Sequence, residues 1–514
     1  MFATMSVAAI LAESAHRFAD RPAVTLGGES VSYADLWDQT RAYAGALRDA
    51  GVEQGSRVAV LIPNVTDFAR TYYAVLALGG TVVPIHALLK RHEIEYILRD
   101  AEAGLLVCAA PLLEQGALAA EAAGVDVLTV LAPEGAEHPR LEDRAAAAEP
   151  IDTYLPMRPD DIATILYTSG TTGKPKGALG CHFALLEQVN VLLTSTFDFR
   201  EGDRIFGGLP LFHTFGQTVV LNAGLRAGAE ILLLPKFTPT AALDMVIDEK
   251  IEIFCGVPTM YLALLQAFRD RPEKPTALRY AVSGGASLPL AALEAFEENF
   301  GSTIYEGYGL TETSPVASFN HVGRPPVPGT VGTPVWGVDV EIARPEVFDA
   351  IELLPRGELG ELVVRGHNLF AGYLNRPEAT AEAVVDGWFR TGDLGTKDQD
   401  GYLRIMDRKK DMIVRNGYNV YPREVEEYLM KHAEISNVAV FGIDDEMHGQ
   451  EVVAAVTLVP DSQVTPEAIR DYAADGLAAY KFPRVVRIVS EFPVGPSGKI
   501  LKRELVAHYT KDQD

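Results

Sequence analysis

The chain has 514 residues, which at roughly 100–200 residues per domain predicts about three domains, or one large unit with a smaller appendage. Hydrophobic residues make up 48% and charged residues 22%, a globular composition that excludes extensive disorder. The formal net charge of −25 disfavours general nucleic-acid binding, because an acidic surface repels phosphate backbones. A nucleotide bound in a locally basic site is not excluded.

Cysteine content and the lack of membrane signals indicate the compartment. Cys108, Cys181 and Cys255 are far apart and form no CxxC pair, so we expect neither a disulfide framework nor a zinc site. The first 18 residues lack a basic segment followed by a long apolar run, so no signal peptide is expected. No stretch reaches about 18 uninterrupted apolar residues. These features predict a cytoplasmic protein without a transmembrane segment.

Short apolar runs alternate with helical patterns through most of the chain. Amphipathic stretches predict helices over Tyr33–Asp49 and 67–78. Apolar runs predict buried strands at 57–62, 81–85, 104–108, 125–131 and 231–234. This alternation predicts an α/β layered fold, and turn residues with shorter strands indicate a more β-rich subdomain from about 329 to 364.

The order of predicted helices and strands changes after Asp411. Pro422 opens a predicted helix over 423–432, at the position where proline is tolerated. Strands at 438–441, 452–458 and 485–489, with a second helix starting at Thr465, complete a compact α+β unit of domain size. We therefore predict a large N-terminal domain over 1–408 and a small C-terminal domain over 409–514. The charged run at 407–411 is a candidate linker between them.

The strongest motif is YTSGTTGKPKG at 167–177, which follows a strand-like apolar run at 162–166. Its glycines give backbone freedom, its hydroxyls donate hydrogen bonds and its lysines add positive charge, so the loop can wrap phosphate oxygens. It is not a Walker A loop, because Pro175 stands where that motif needs its second glycine. A solvated polar loop is the alternative.

This string resembles the phosphate loop of the adenylate-forming (ANL) superfamily, which includes acyl-CoA synthetases, nonribosomal adenylation domains and luciferases. Other signatures of the superfamily follow in order: LPLFHTFG (209–216), SGGA (283–286), YGLTE (308–312), TGD (391–393), DRKKDMIVRNGYNVYP (407–422) and PSGK (496–499). The chain most resembles bacterial long-chain fatty-acid–CoA ligases in GVPTMY (256–261), EGYGLTE (306–312) and NVYPREVEE (419–427). The resemblance covers nearly the whole chain.

The resemblance implies an ATP-dependent acyl-CoA synthetase. Such an enzyme converts a carboxylate and ATP into an acyl-adenylate and pyrophosphate, and then forms a thioester with coenzyme A. The implied ATP contacts are Thr168, Ser169, Gly170, Thr171, Thr172, Gly173, Lys174, Gly285, Ala286, Glu306, Gly307, Tyr308, Gly309, Thr311, Asp393, Arg408 and Asn419.

Individual roles follow from the same resemblance. Tyr308 would stack on adenine, and Asp393 would accept hydrogen bonds from the ribose hydroxyls. Glu312 is the implied Mg²⁺ ligand, since magnesium commonly uses one or two carboxylates together with phosphate oxygens. The implied catalytic residues are Lys499, His213, Thr172 and Glu312.

Lys499, in PSGK, is the expected cation of the adenylation step. The carboxylate must attack the α-phosphorus of ATP, and an ammonium that touches both anions aligns them and neutralises developing charge. By resemblance, Lys410 is the pivot about which a mobile C-terminal domain swings between two half-reactions, and Gly417 lines the thiol tunnel in the second. Two residues depart from the family pattern: Asp407 replaces the usual glycine, and Val414 stands where many relatives have lysine. A charged helix face is the alternative for 407–411.

The acyl pocket is expected to be apolar. The resemblance places His213, Val257, Gly284, Gly285, Gly307 and Val316 along it. Glycine leaves room, and each buried CH₂ contributes about 0.8 kcal/mol, which favours a medium or long alkyl chain. An aryl acid of the coumarate or cinnamate type is the alternative. Amino acids are disfavoured, because 206–217 offers no aspartate to pair with a buried ammonium.

Free coenzyme A is the expected acceptor, since only residues 500–514 follow the last motif. Two alternative functions stay open. A biosynthetic enzyme could deliver the acyl group to a carrier protein or another nucleophile, or the chain could be an inactive ATP-binding sensor. Separately, the chain could form a homodimer. The sensor is disfavoured because Glu312, Asp393 and Lys499 are all present.

Overall fold

The computed structural model describes residues 5–168, 174–445, 447–494 and 500–511. Two stretches with predicted roles therefore lie outside the described residues. One holds Ser169, Gly170, Thr171, Thr172 and Gly173 of the phosphate loop, and the other holds Lys499.

The helices fall mostly between strands, as in a layered α/β fold. The α-helices of the described residues are α1 (Ala9–Arg17), α2 (Tyr33–Asp49), α3 (Thr66–Ala77), α4 (Arg91–Asp100), α5 (Leu113–Ala123), α6 (Leu141–Ala147), α7 (His182–Val191), α8 (Ala223–Ala227), α9 (Pro239–Ile247), α10 (Pro258–Asp270), α11 (Leu290–Phe300), α12 (Pro377–Ala383), α13 (Pro422–Leu429), α14 (Pro466–Gly476) and α15 (Lys502–Lys511). Phe215–Asn222 forms a π-helix and Thr311–Thr313 a 3₁₀ turn.

The strands divide into four sheets. They are β1 (Pro22–Leu26), β2 (Glu29–Ser32), β3 (Arg57–Leu61), β4 (Thr81–Pro84), β5 (Leu105–Ala109), β6 (Asp126–Val130), β7 (Ile162–Thr168), β8 (Lys176–Cys181), β9 (Arg204–Gly207), β10 (Glu230–Leu233), β11 (Ile253–Gly256), β12 (Tyr280–Ser283), β13 (Thr303–Gly309), β14 (Val316–Phe319), β15 (Thr333–Pro334), β16 (Val338–Ala343), β17 (Gly360–Gly366), β18 (Val384–Val385), β19 (Trp388–Lys397), β20 (Leu403–Arg408), β21 (Ile413–Arg415), β22 (Tyr418–Val420), β23 (Ile435–Asp445), β24 (Gly449–Leu458) and β25 (Val485–Ile488).

Two mostly parallel sheets form the large N-terminal part. One has the order β6-β5-β3-β4-β7-β8, and the other has the order β15-β14-β13-β12-β11-β9-β10-β1-β2. Their central strands are buried apolar runs, as expected for parallel sheets covered by helices on both faces. One hydrophobic core spans most of both sheets, and side chains such as Phe68, Phe206, Phe254 and Phe296 are fully buried within it.

A β-rich sheet follows, in which β16-β17-β19-β18 are antiparallel and β20 pairs with β19. The C-terminal sheet has the order β22-β21-β24-β23, and β25 adds to β24 in parallel. This last sheet has its own apolar core, which includes Val425, Leu429 and Ile469 from helices α13 and α14. The molecule is thus a large mixed α/β N-terminal domain with a small α+β C-terminal domain, as predicted.

Most predicted elements occur with shifts of one or two residues at their ends. Helix α2 has the predicted bounds, and Ser32 caps it by accepting the Asp35 N–H at 3.1 Å. The helix predicted over 423–432 ends earlier, at Leu429. The linker interpretation of 407–411 is wrong for its first two residues, because Asp407 and Arg408 complete strand β20. Among the described residues, no helix is long and apolar enough to cross a membrane.

Candidate active site

Three parallel strands bring predicted pocket residues together at one sheet edge. The register places Gly256 of β11 beside Ser283 of β12, and Ser283 beside Glu306 of β13. Val257 and Gly284 directly follow the ends of β11 and β12, whereas β13 continues through Gly307, which pairs with Phe319 of β14. Ligands of open α/β sheets bind at this carboxyl edge.

Aromatic rings fill space that the glycines were expected to leave open. A Cβ atom at Gly307 would lie 2.3 Å from the ring of Phe319, so the expectation of free room there is wrong. At Gly284, a Cβ atom would lie 3.3 Å from the ring of Phe215. Gly285 has φ +81°, a conformation that favours glycine, and its missing Cβ faces Val257 at 3.5 Å. The edge is therefore apolar and partly aromatic.

The expected metal ligand is held by a tyrosine that sequence reasoning missed. Glu312 is buried in the 3₁₀ turn, and the Tyr373 hydroxyl donates to its Oε1 at 2.7 Å. Burial raises the pKa of Glu312, while the Tyr373 hydrogen bond and the charges of Lys176 and Arg408 oppose the rise. A positioned carboxylate with cations nearby is the chemistry that a bridging metal and phosphate oxygens require.

The predicted ribose ligand is also held by a tyrosine. The Tyr308 hydroxyl donates to Asp393 Oδ2 at 2.6 Å, and Arg408 Nε lies 3.5 Å from Asp393 Oδ1. Burial and the Asp393 carboxylate raise the pKa of the Tyr308 hydroxyl, so it stays a donor at neutral pH. This contact joins β13 of the nine-stranded sheet to β19 and β20 of the β-rich sheet. Stacking of the Tyr308 ring on adenine stays a prediction.

Glu306 is a buried carboxylate at the same edge. Its Oε1 accepts the Leu288 N–H at 3.3 Å. Burial raises the pKa of Glu306 to about 7, and the Leu288 N–H and the charge of Arg423 oppose that rise. This side chain therefore changes charge near neutral pH. A cavity of about 210 Å³ adjoins it, lined also by Asn320, Leu293 and Val327.

The described ends of the phosphate loop lie on an antiparallel hairpin. Thr168 ends β7 and pairs with Lys176, which begins β8. Lys174 lies 5.6 Å above the Tyr96 ring, and Lys176 lies 4.9 Å above the Tyr373 ring. Lys176 thus connects the hairpin to the tyrosine that holds Glu312.

Basic side chains gather around these carboxylates, although the chain as a whole is acidic. Arg408 and Lys176 both act on Glu312, and Lys410 lies close enough to Arg408 and Asp393 for their charges to influence it. Burial and the Arg408 charge lower the pKa of Lys410. A local concentration of cations is what a polyphosphate site needs in a chain of net charge −25.

A second histidine accompanies His213. Burial, with a smaller contribution from His86, lowers the pKa of His213 to about 4, so the ring is neutral at pH 7. His213 Nδ1 accepts the Phe215 N–H at 3.2 Å, and His86 packs against the Phe212 ring with centroids 4.2 Å apart. His86 could not be predicted from the sequence, because it follows strand β4 and belongs to none of the recognised motifs.

The remaining residues with expected roles are spread over several elements; Gly417 was expected to line the thiol tunnel and Asn419 to contact ATP. Gly417 and Asn419 are exposed on the C-terminal domain, at and beside strand β22. Gly309 is the last residue of β13 and pairs with Val316 of β14, and Thr311 lies in the 3₁₀ turn between the two strands. Ala286 is exposed beyond β12. The roles of these residues stay predictions.

Comparison with known proteins defines the class. Residues 11–374 match the AMP-binding enzyme family, and residues 424–499 match the AMP-binding enzyme C-terminal domain. The chain is an AMP-forming acid–thiol ligase by class. It belongs to the AMP-binding enzyme family, the adenylate-forming superfamily that its motifs indicated.

Two curated relatives show how wide that class is. A long-chain-fatty-acid–CoA ligase of Bacillus subtilis is 34% identical, over 98% of this chain and 94% of its own. A feruloyl-CoA synthase of Amycolatopsis is 37% identical, over 94% of this chain and 95% of its own.

A solved structure supports the overall arrangement. ATP-bound MatB from Rhodopseudomonas palustris, 32% identical, superposes with a TM-score of 0.91 over 99% of this chain and 100% of its own. The apo form of the same protein, over the same coverage, gives 0.79. This chain is thus more similar to the ATP-bound structure than to the apo structure.

Proposed function

We propose that this protein is an ATP-dependent acyl-CoA synthetase, which activates a carboxylic acid as its acyl-adenylate and transfers the acyl group to coenzyme A. One observation carries the proposal: two site carboxylates, Glu312 and Asp393, each accept a hydrogen bond from a tyrosine hydroxyl. Arg408 lies 3.5 Å from Asp393, and its charge also acts on Glu312. A nucleoside triphosphate needs such groups: one oriented carboxylate can hold its metal ion, another can bind its ribose hydroxyls, and the nearby cations can face its phosphates.

Each site residue would have a distinct role in the adenylation half-reaction. Glu312 would hold Mg²⁺, which supplies charge neutralisation on the triphosphate when bound. Tyr373 keeps the carboxylate of Glu312 in one orientation, and Arg408 adds a fixed positive charge nearby. Asp393, oriented by Tyr308, would accept the ribose hydroxyls. Preorganised groups of this kind lower a barrier because they need not reorganise during the reaction.

Lys499 would complete the site from the C-terminal domain. Its ammonium would contact both the carboxylate and the α-phosphate, so that two anions can meet. A swing about Lys410 would then bring Gly417 to the site for thioester formation. The higher similarity to an ATP-bound relative than to its apo form supports two domain arrangements within the family.

We propose a medium- or long-chain fatty acid as the substrate. The apolar edge formed by Val257, Phe215 and Phe319 supports it, together with the neutral ring of His213. An aryl acid is a specific second candidate, because the feruloyl-CoA synthase relative is 37% identical and aromatic rings flank Gly284 and Gly307. We propose free coenzyme A as the acceptor, and a carrier protein is the second candidate. All three cysteines are unpaired, which supports the proposed cytoplasmic location.

Product analysis over a panel of acids tests this proposal. The purified protein is incubated with ATP, Mg²⁺, coenzyme A and one acid from the fatty, hydroxycinnamic or amino-acid series. We expect AMP, pyrophosphate and an acyl-CoA, with kcat/KM rising roughly tenfold for each two carbons up to about eight carbons or beyond, as a gain of about 0.8 kcal/mol per CH₂ implies. Turnover of hydroxycinnamic acids alone would establish the aryl alternative, and turnover of no acid would overturn the proposal.

A further inference from the structure

A buried carboxylate connects the two domains beside the predicted pivot. Asp407 is the penultimate residue of strand β20, is 8% exposed, and accepts the Arg423 N–H on its Oδ2 at 3.0 Å. Its Oδ1 accepts the Arg408 N–H at 2.7 Å. Arg423 is the second residue of helix α13, so Asp407 caps a helix of the other domain. The Arg423 guanidinium also donates to the Ile405 carbonyl of β20.

The same carboxylate belongs to a charge cluster that includes Lys502 of helix α15. Lys502 begins helix α15, and its Nζ lies 2.7 Å from Glu426 Oε1 on α13. Burial opposes the charged form of Lys502, yet the carboxylates of Glu426, Asp407 and Asp411 raise its pKa above the usual value. Asp407 thus acts on both helix α13 and the start of helix α15.

These contacts occur in an arrangement in which the segment 417–419, whose Gly417 was expected to line the thiol tunnel, is exposed to solvent. Tyr418 is 58% exposed, and its neighbours Gly417 and Asn419 are exposed too. A large rotation of the C-terminal domain about Lys410 would move α13 away from β20. Asp407 would then lose its hydrogen bond from the Arg423 N–H and much of its attraction to the Lys502 ammonium. The ion pair between Lys502 and Glu426 would persist, because both residues belong to the C-terminal domain.

We infer that Asp407 is a positioning residue that favours the arrangement for adenylation over the arrangement for thioester formation. The inference rests on the proposed function and adds a residue to it. A glycine at this position would have no carboxylate to cap α13, so the two arrangements would be more evenly balanced. Loss of one charge-assisted hydrogen bond shifts such a balance by roughly tenfold.

Separate assays of the two half-reactions test the inference. Adenylation is followed as acid-dependent ATP–pyrophosphate exchange without coenzyme A, and thioester formation is followed from synthetic acyl-adenylate and coenzyme A. We expect Asp407→Ala to slow adenylation about tenfold and to leave thioester formation within about twofold or faster. Asp407→Asn, which keeps an acceptor oxygen, should slow adenylation less. Equal losses in both half-reactions, or no loss in either, would overturn the inference.

The matched control is Glu424→Gln, on the same helix. Glu424 forms an ion pair with Lys481 at 2.6 Å, and both residues belong to the C-terminal domain. It should change neither half-reaction. Hydrogen exchange at 422–429 gives a readout independent of activity: we expect faster exchange of the Arg423 amide in Asp407→Ala than in wild type or Glu424→Gln. Unchanged exchange would contradict the contact itself. An inactive wild type would contradict the proposed function instead, and would leave the exchange result to decide on the contact.

Discussion

At the scale of single residues, the site is organised by tyrosine hydroxyls that orient carboxylates. Tyr373 reaches Glu312 across 61 positions of sequence, and Tyr308 reaches Asp393 across 85. Outer partners of this kind fix the direction in which a carboxylate presents its free oxygen, and their loss typically costs 10–100-fold in metal affinity.

Removing one such hydroxyl should weaken the response to metal. In Tyr373→Phe, we expect the Mg²⁺ concentration for half-maximal adenylation to rise about tenfold, because Glu312 loses its orienting donor. A Mg²⁺ titration of pyrophosphate exchange measures this. Tyr43→Phe is the control, since Tyr43 of α2 donates to Asp67 of α3 at the same 2.7 Å distance and neither residue has an expected role in the site. An unchanged Mg²⁺ requirement in Tyr373→Phe would contradict the role.

Glu306 should make stability depend on pH. Burial raises its pKa to about 7, so the folded state retains a proton that the unfolded state loses near its lower, ordinary pKa. Its contribution is therefore fully present below the unfolded pKa and disappears as pH rises through 7, a loss of roughly 3 kcal/mol when the side chain is charged. We expect Glu306→Gln to have a higher Tm than wild type at pH 8 and a similar Tm at pH 4.5. If Tm depended on pH in the same way in Glu306→Gln and in wild type, the raised pKa of Glu306 would be contradicted.

At the scale of elements, the parallel strands β11, β12 and β13 form the apolar edge. Their register sets which residues leave the sheet side by side, and the sheet places two aromatic rings against Gly284 and Gly307. Protein interiors are close-packed, so a methyl group added at such a contact must displace a neighbour.

The contact between Gly307 and Phe319 can be tested by a pair of substitutions. Gly307→Ala would put Cβ 2.3 Å from the buried Phe319 ring, and we expect a loss of about 1–3 kcal/mol in unfolding free energy with a raised KM for the acid. Phe319→Leu in the same chain should restore part of both, because the smaller side chain leaves space. Denaturant unfolding and acid kinetics check this. Additive losses in the double variant would contradict direct contact.

Sequence reasoning found elements and motifs better than it found contacts. Helix α2 and strand β3 could be predicted because periodicity is local, and Glu312 and Asp393 because they lie in recognisable strings. Tyr373 and His86 could not be assigned, since only the fold brings them to the site, and the contact of Lys176 with the Tyr373 ring was missed for the same reason. The role of Asp407 was missed for the same reason: its partner Arg423 lies in another domain.

At the scale of the whole molecule, the proposed mechanism requires a C-terminal domain that supplies different residues to each half-reaction. The C-terminal sheet has its own core, and the contacts of Asp407 and Arg423 join it to β20. Such a domain can change orientation without unfolding, because its core does not depend on the larger domain.

Lys499 should therefore matter for only one half-reaction. We expect Lys499→Ala to slow adenylation roughly 10²–10³-fold, the usual effect of removing one charge-stabilising donor. Thioester formation from a supplied acyl-adenylate should stay within about threefold of wild type. Lys431→Ala, an exposed lysine of the same domain, is the control and should change neither rate. Intact single-turnover adenylate formation in Lys499→Ala would refute the role.

Acid-dependent exchange of pyrophosphate into ATP, measured without coenzyme A, tests the central claim most directly. The exchange occurs only if the protein forms an acyl-adenylate reversibly and releases pyrophosphate. We predict exchange that requires both Mg²⁺ and an apolar carboxylic acid, and that is strongest with medium- or long-chain fatty acids. Absence of exchange with every fatty, hydroxycinnamic and amino acid would contradict the account.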